Sequence, residues 1–308
     1  MMTFRSILKI SWGRTIFLGF TSLLAIYIIF KTTVSVRNFS EIINQIDNRY
    51  FWLAFAVIPP SIFLNAVRWH YVLKASGYII KFKRVFMIAT GSLPFCIIPG
   101  RLGDFVRSYP LRNEIPVSQT IATIILEKII DICTLFLYAG IGLLLIGYYW
   151  GSAIALLISF ATIPCLIILK KSGILPETEN KMIKKIFDAA KILDRIHERK
   201  NFLYMAVLSS IVNMGLSLVG FYWLMTAVHA QVPIIAIFAF MPLCIIIGLL
   251  PLTLAGMGTR DAALIYFFSP YALASQSLSA GLVYALQGYW SVAILCLPFL
   301  FIFFKDES

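Results

Sequence analysis

The chain has 308 residues, of which 60% are hydrophobic and only 13% charged, with a mean hydropathy of +0.88. A soluble domain carries about 25% charged residues, so this composition excludes a soluble fold and implies a polytopic all-α membrane protein. The 26 Lys and Arg against 14 Asp and Glu give +12. No basic patch is interleaved with stacking aromatics, so nucleic acid is not an expected partner, and the charge fits the Lys and Arg that gather in cytoplasmic loops.

Apolar runs fall at 15–36, 51–69, 85–99, 118–147, 152–169, 202–228, 233–250 and 279–304. Several reach or approach the ~18–20 residues needed to cross a bilayer. The first follows Arg5, Lys9 and Arg14. It has no small-residue cleavage site after it, which predicts an uncleaved first helix and not a removed signal peptide. Residues 39–50 form a weak amphipathic stretch. The second run ends at Arg68, where an arginine is expected to snorkel to the rim.

Loop charge orients the chain. The segment 71–84 carries Lys74, Lys81, Lys83 and Arg84 and no acid, and 170–200 is basic and amphipathic over 181–199. Both are expected to be cytoplasmic. The links "YYWG" (148–151) and "HAQV" (229–232) lack Lys and Arg and are expected outside. With both termini cytoplasmic, six runs cross the membrane fully. The two others, 85–117 and 233–278, must begin and end on one side. Each is expected to dip in and return, breaking at Pro99-Gly100 and at 251–258. Two dips entering from opposite faces predict an inverted repeat with broken helices meeting in the membrane.

The charged residues near these breaks are the candidate site. Gly100 and Gly103 free the backbone from helical geometry. A helix restarting at 102–113 would point its N-terminus at the break, and such ends attract anions. Arg101, Asp104 and Arg107 follow, which suggests a phosphate cradle. Arg112 and Glu114 read as rim residues. In the long run 118–147, Glu127, Lys128 and Asp131 lie about 15 Å or more from its start at ~1.5 Å per residue. Glu127 and Asp131 share a face, and Lys128 is spaced to pair with Asp131. Charge at that depth is functional or paired. The second break repeats the design, with Gly256, Gly258, Arg260 and Asp261. The five cysteines and three histidines show no metal or catalytic spacing, so no metal or other cofactor is expected.

Four stretches, "NAVRWHYVLKASG", "PGRLGDFVRSYPL", "EKIID" and "AGMGTRDAAL", resemble in order the motifs of one family. It is the flippase-like membrane region of lysylphosphatidylglycerol synthases, which also occurs alone in short proteins often associated with glycosyltransferases. The likeness runs over about 15–304. Asp104 and Asp261 stand where Glu is usual, and Lys128 where Arg is usual. The 308 residues are expected to form one membrane domain without the synthases' soluble aminoacyl-transferase domain.

The resemblance implies flipping of an anionic phospholipid or a polyprenyl-phosphate-linked lipid across the cytoplasmic membrane. The depth and shared face of Glu127 and Asp131 suggest in addition that one of them exchanges a proton during the cycle. Arg68, Arg101, Arg107 and Arg260 would bind phosphate, assisted by the four glycines. Asp104, Glu127, Lys128, Asp131 and Asp261 would carry charge coupling. An intramembrane polyprenyl-phosphate glycosyl or headgroup transferase, or a scaffold for a glycosyltransferase, is the alternative. Expected partners are membrane lipids, a glycosyltransferase or lipid-modifying enzyme, and a second copy of the chain.

Overall fold

The computed structural model describes residues 12–34, 36–97, 99–171, 199–250, 252–253 and 256–303. The expected amphipathic segment 181–199 therefore lies almost wholly outside the described residues. Every regular element among those described is helical.

The first half begins with α1 (Trp12–Thr32), a short amphipathic α2 (Val36–Asn44), α3 (Asn48–Phe55) and α4 (Ile58–Ala75). Helices α3 and α4 are one path broken at Ala56 and Val57. Pro59 and Pro60 supply no N–H to the preceding turn, so the ladder cannot continue through them. A hairpin follows, made of α5 (Phe82–Ser92) and two 3-10 segments, Leu93–Ile97 and Pro99–Ser108. Then comes α6 (Val117–Ile146), ended by Gly147 at φ +93°.

The second half repeats this order. It has α7 (Tyr149–Lys171), α8 (Lys200–Ala227), a hairpin of α9 (Ile234–Gly248) and α10 (Thr259–Phe268), and a last long path. That path starts as α11 (Ala274–Ala285). It widens into one π-helical stretch, Leu286–Ser291, and ends in α12 (Val292–Cys296) and a 3-10 segment, Leu297–Phe303.

Four paths among the described residues are long and apolar enough to cross a membrane: Asn48–Ala75, Val117–Ile146, Lys200–Ala227 and Ala274–Phe303. Helices α1 and α7 add 21 and 23 residues. By contrast α5, α9 and α10 have 11, 15 and 10 residues. At ~1.5 Å per residue none spans the ~30 Å hydrocarbon core. These are the two segments that the crossing count set apart. Large apolar side chains such as Phe17, Leu145, Leu157, Phe160 and Leu208 face outward, and Trp150 is 85% exposed, as lipid-facing and interfacial positions require. The chain is a multi-pass membrane protein.

Two features of the first hairpin differ from expectation. The α-helix ends at Ser92, ahead of Pro99, because Pro94 withdraws the next amide from the ladder. After the break the chain restarts as 3-10 helix over Pro99–Ser108 and not as an α-helix over 102–113.

The halves grip one another reciprocally. Helices α4 and α8, which hold equivalent places, pack together. Helix α6 of the first half packs on α9 of the second hairpin, where a Cβ on Gly142 would strike the Ala239 backbone. The last path packs on α5 of the first hairpin, and a Cβ on Gly91 would sit 2.5 Å from the Phe299 carbonyl oxygen. Both hairpins are thereby held against the bundle with Asp104, Arg107, Arg260 and Asp261 buried.

Candidate functional site

The charged residues separate into two groups. The first gathers residues from α4, the first hairpin and α6. Arg68 is 4% exposed and Glu127 is fully buried. Arg68 donates from Nε and Nη2 to Glu127 Oε1 (3.2 and 2.5 Å) and from Nη1 to Asp131 Oδ1 (2.6 Å). Arg107, also fully buried, donates from Nη1 to Glu127 Oε2 (2.9 Å), from Nη2 to Asp104 Oδ1 (3.1 Å) and from Nε to Ser92 Oγ (2.9 Å). Its guanidinium carbon lies 5.3 Å from the centre of the Trp69 ring. Lys128 Nζ lies 2.7 Å from Asp104 Oδ2. Ser210 of α8 donates to Asp131 Oδ1 (2.9 Å).

Two expectations are corrected here. Arg68 does not snorkel. It turns inward because two carboxylates on α6 face it, and a buried arginine is stable only when its fork is matched. Lys128 does not pair with Asp131, three residues on. It pairs with Asp104, because Asp131 is already engaged by Arg68. The rim reading of Glu114 fits its half-exposed ion pair with Arg84, at 2.7 Å.

The second group lies at the second break. Arg260 Nη2 donates to Asp261 Oδ1 and to the Gly281 carbonyl, both at 2.9 Å. Asp261 Oδ2 accepts from the Gly258 N–H at 3.0 Å, so this carboxylate caps its own helix. The turn depends on glycine at two positions with left-handed φ, Gly256 at +75° and Gly258 at +105°. A Cβ on Gly256 would lie 2.8 Å from the Gly248 carbonyl oxygen. Arg260 is 3% exposed and packs 5.3 Å from the Tyr284 ring centre.

A two-lobed cavity joins the groups. The wide lobe, about 560 Å³, is lined by Asn65, Arg68, Asp104, Lys128, Asp131, Asn213, Ser217, Tyr284 and Gln287 among apolar side chains. The narrow lobe, about 190 Å³, is lined by Arg260 and Tyr289 and shares Asn65, Asp104, Lys128 and Tyr284 with the first. The volume is in the range of ligand pockets.

The sequence-predicted residues thus divide. Arg68, Asp104, Lys128, Asp131 and Arg260 line the cavity. Arg107, Glu127 and Asp261 lie buried beneath its wall and hold the others in place. Gly103 is buried within the 3-10 segment Pro99–Ser108, of which Gly100 is also part. The side chain of Arg101 lies outside the described residues. Sequence reasoning missed Asn65, Asn213, Tyr284 and Gln287, which are uncharged polar residues within the long apolar runs. The available signal was an amide side chain inside an apolar run, which is costly there unless it has a partner. Among the described residues no group of three or more His, Cys, Asp or Glu could hold a metal ion.

Comparison with known proteins agrees with this architecture. The chain is 25% identical over 264 residues to UPF0104 membrane protein MJ1595 of Methanocaldococcus jannaschii, covering 75% of this chain and 77% of that one. A family model described as the lysylphosphatidylglycerol synthase TM region matches residues 15–296. Both hairpins and every charged residue of the cavity fall inside that match, and the chain belongs to the lysylphosphatidylglycerol synthase transmembrane-region family.

Proposed function

We propose that the protein moves a phosphate-bearing lipid across the membrane, with the headgroup in the two-lobed cavity and the acyl or prenyl chains in the bilayer. One observation carries this reading. Arg260 is almost wholly buried, yet Nη1 takes no hydrogen bond among the described residues while Nε and Nη2 are engaged. It faces the narrow lobe beside Lys128, whose Nζ has one carboxylate partner. Two cations with donors to spare in a confined site suit a phosphate oxygen.

The charge distribution agrees. Among the described side chains of the site, four cations (Arg68, Arg107, Lys128, Arg260) meet four anions (Asp104, Glu127, Asp131, Asp261). Among the described residues, Arg68, Lys128 and Arg260 against Asp104 and Asp131 line the cavity, a net charge of +1 from three cations and two anions. The signs are sorted in space, and an anion is favoured although the cluster as a whole is neutral.

Proton coupling, in this reading, belongs to Asp131. Both oxygens of Glu127 accept from arginines, so a proton there must displace a guanidinium. Asp131 Oδ2 takes no hydrogen bond among the described residues, and the residue borders the wide lobe.

The test is scrambling or transport of a fluorescent phospholipid in proteoliposomes, read by loss of signal to an impermeant quencher. The wild type should exceed empty liposomes. Arg260→Lys keeps a charge for Asp261 but loses the forked donors, and should slow movement at least tenfold with the fold intact. An imposed pH gradient should alter the wild-type rate and not the Asp131→Asn rate. Wild-type liposomes no faster than empty ones, or Arg260→Lys at full speed, would sink the proposal.

A further inference from the structure

We propose that the wide lobe holds a monovalent alkali-metal cation, sodium or potassium, between Asp131 of α6, Asn213 of α8 and Gln287 of the last path. This site goes beyond the translocation reading and is tested apart from it.

The three residues line the lobe from three helices, and contacts between those helices fix their levels. Ser210, Asn213 and Ser217 are three and four apart, on one face of α8. Ser210 donates to Asp131 Oδ1 at 2.9 Å, and the Ser217 hydroxyl lies 3.1 Å from that of Tyr284. Asn213 sits between these two rungs. Gln276 Nε2, near the start of the last path, donates to the Val228 carbonyl at the end of α8 (3.1 Å). Together with the Ser217–Tyr284 contact, this sets the last path antiparallel to α8. Gln287, three residues beyond Tyr284, therefore stands level with Asn213. Along the bundle the three residues fall within about one 5.4 Å turn of one another.

Each brings an oxygen acceptor with nothing to accept. Gln287 is 6% exposed and lies in the π-helical stretch Leu286–Ser291, and such turns frequently mark functional positions. Its Nε2 donates to the Ala54 carbonyl at 2.5 Å. Reversing the amide would set oxygen against oxygen, so the end left over is Oε1. That oxygen and Asn213 Oδ1 are buried without a partner among the described residues. Asp131 Oδ2 takes no hydrogen bond among them either. Unpaired buried acceptors are costly. A single water brings two donors to three acceptors, whereas a cation is held by all three.

The donor set selects the ion. It is all oxygen, which suits a hard cation, but it holds one available carboxylate, where divalent ions gather several. Asp104 is already bonded by Lys128 and Arg107. Among the described residues the lobe is lined by Arg68 and Lys128 against Asp104 and Asp131, so it is neutral before an ion enters, and Arg68 is further matched by Glu127. A bound cation and an anion in the adjoining narrow lobe would favour one another, each by the same factor.

The experiment titrates purified protein in alkali-free micelles with sodium chloride or potassium chloride. Choline chloride keeps the ionic strength constant. The pH is held fixed, because a proton on Asp131 would compete for the same oxygen. Stabilisation against unfolding reports binding. At least one alkali cation should stabilise the wild type saturably where choline does not. Asp131→Asn and, independently, Asn213→Leu should weaken that binding tenfold or more. Asn213→Asp, which keeps an oxygen at the position, should hold the ion at least as tightly as the wild type. Should Asp131→Asn fail to fold, the two Asn213 variants decide. No alkali-specific stabilisation of the wild type, tighter binding of calcium than of either alkali ion, or Asn213→Leu binding as the wild type does would overturn the site and leave lipid translocation standing. Saturable alkali binding by a protein that moves no lipid in proteoliposomes keeps the site and refutes the translocation reading.

Discussion

Arg68→Gln is the most direct probe of the site's architecture. The substitution removes a buried cation that makes three short contacts, two to Glu127 and one to Asp131. Removing one partner of a buried ion pair costs roughly 3–5 kcal/mol, because the other charge is left without compensation. Here each carboxylate keeps one helper, Arg107 on Glu127 and Ser210 on Asp131. The cost should therefore fall near the lower end, about 3 kcal/mol, which is roughly a hundredfold in the folding equilibrium. Arg68→Lys should recover only about half of it, since one ammonium cannot span two carboxylates on successive turns as a guanidinium does. Reversible unfolding in mixed detergent micelles measures these values. Combining Arg68→Gln with Asp131→Asn should show a favourable coupling above about 1 kcal/mol, as expected for groups in direct contact. If Arg68→Gln lies within about 0.5 kcal/mol of the wild type, or the cycle shows no coupling, the buried network does not hold the bundle together.

The remaining predictions concern neighbouring positions. Glu127→Gln should destabilise by about 3–5 kcal/mol, because it strips the carboxylate from both Arg68 and Arg107. Asp131→Asn, at a side chain 15% exposed whose amide can still accept from Arg68 and Ser210, should cost about 1 kcal/mol; the reverse order in the same unfolding assay would contradict the pairing. Gly256→Ala should cost at least about 2 kcal/mol through left-handed φ and a collision with the Gly248 carbonyl. Gly19→Ala, with nothing within 4 Å of the added methyl, should be neutral or stabilise by up to about 1 kcal/mol. Equal melting of the two alanine variants would show that the second break does not need its glycine.

The amino-acid sequence alone determined the class of the protein and the outline of its path. Hydropathy and run length are properties of consecutive residues, so the long spans and the two short, broken segments were legible. The glycine turn at 256–258 and the shared face of Glu127 and Asp131 were legible too, because local backbone freedom and helical period settle them. Pro94 as the end of α5 was also readable, and Pro99-Gly100 stands where the second 3-10 segment of the hairpin begins. Tertiary structure alone decided who pairs with whom. Lys128 can reach Asp131 along its own helix just as well as Asp104 across a helix interface. The choice fell to Asp104 because α4 packs opposite α6 and brings Arg68 onto Asp131. The same packing withdrew Arg107 from the cavity to support Glu127, left Arg260 with an unmatched edge, and turned Asn213 and Gln287 from polar residues of separate runs into parts of one wall. Spacing along a chain fixes which side chains share a face, but ion pairs and cavities arise between faces, and only the packed bundle chooses those.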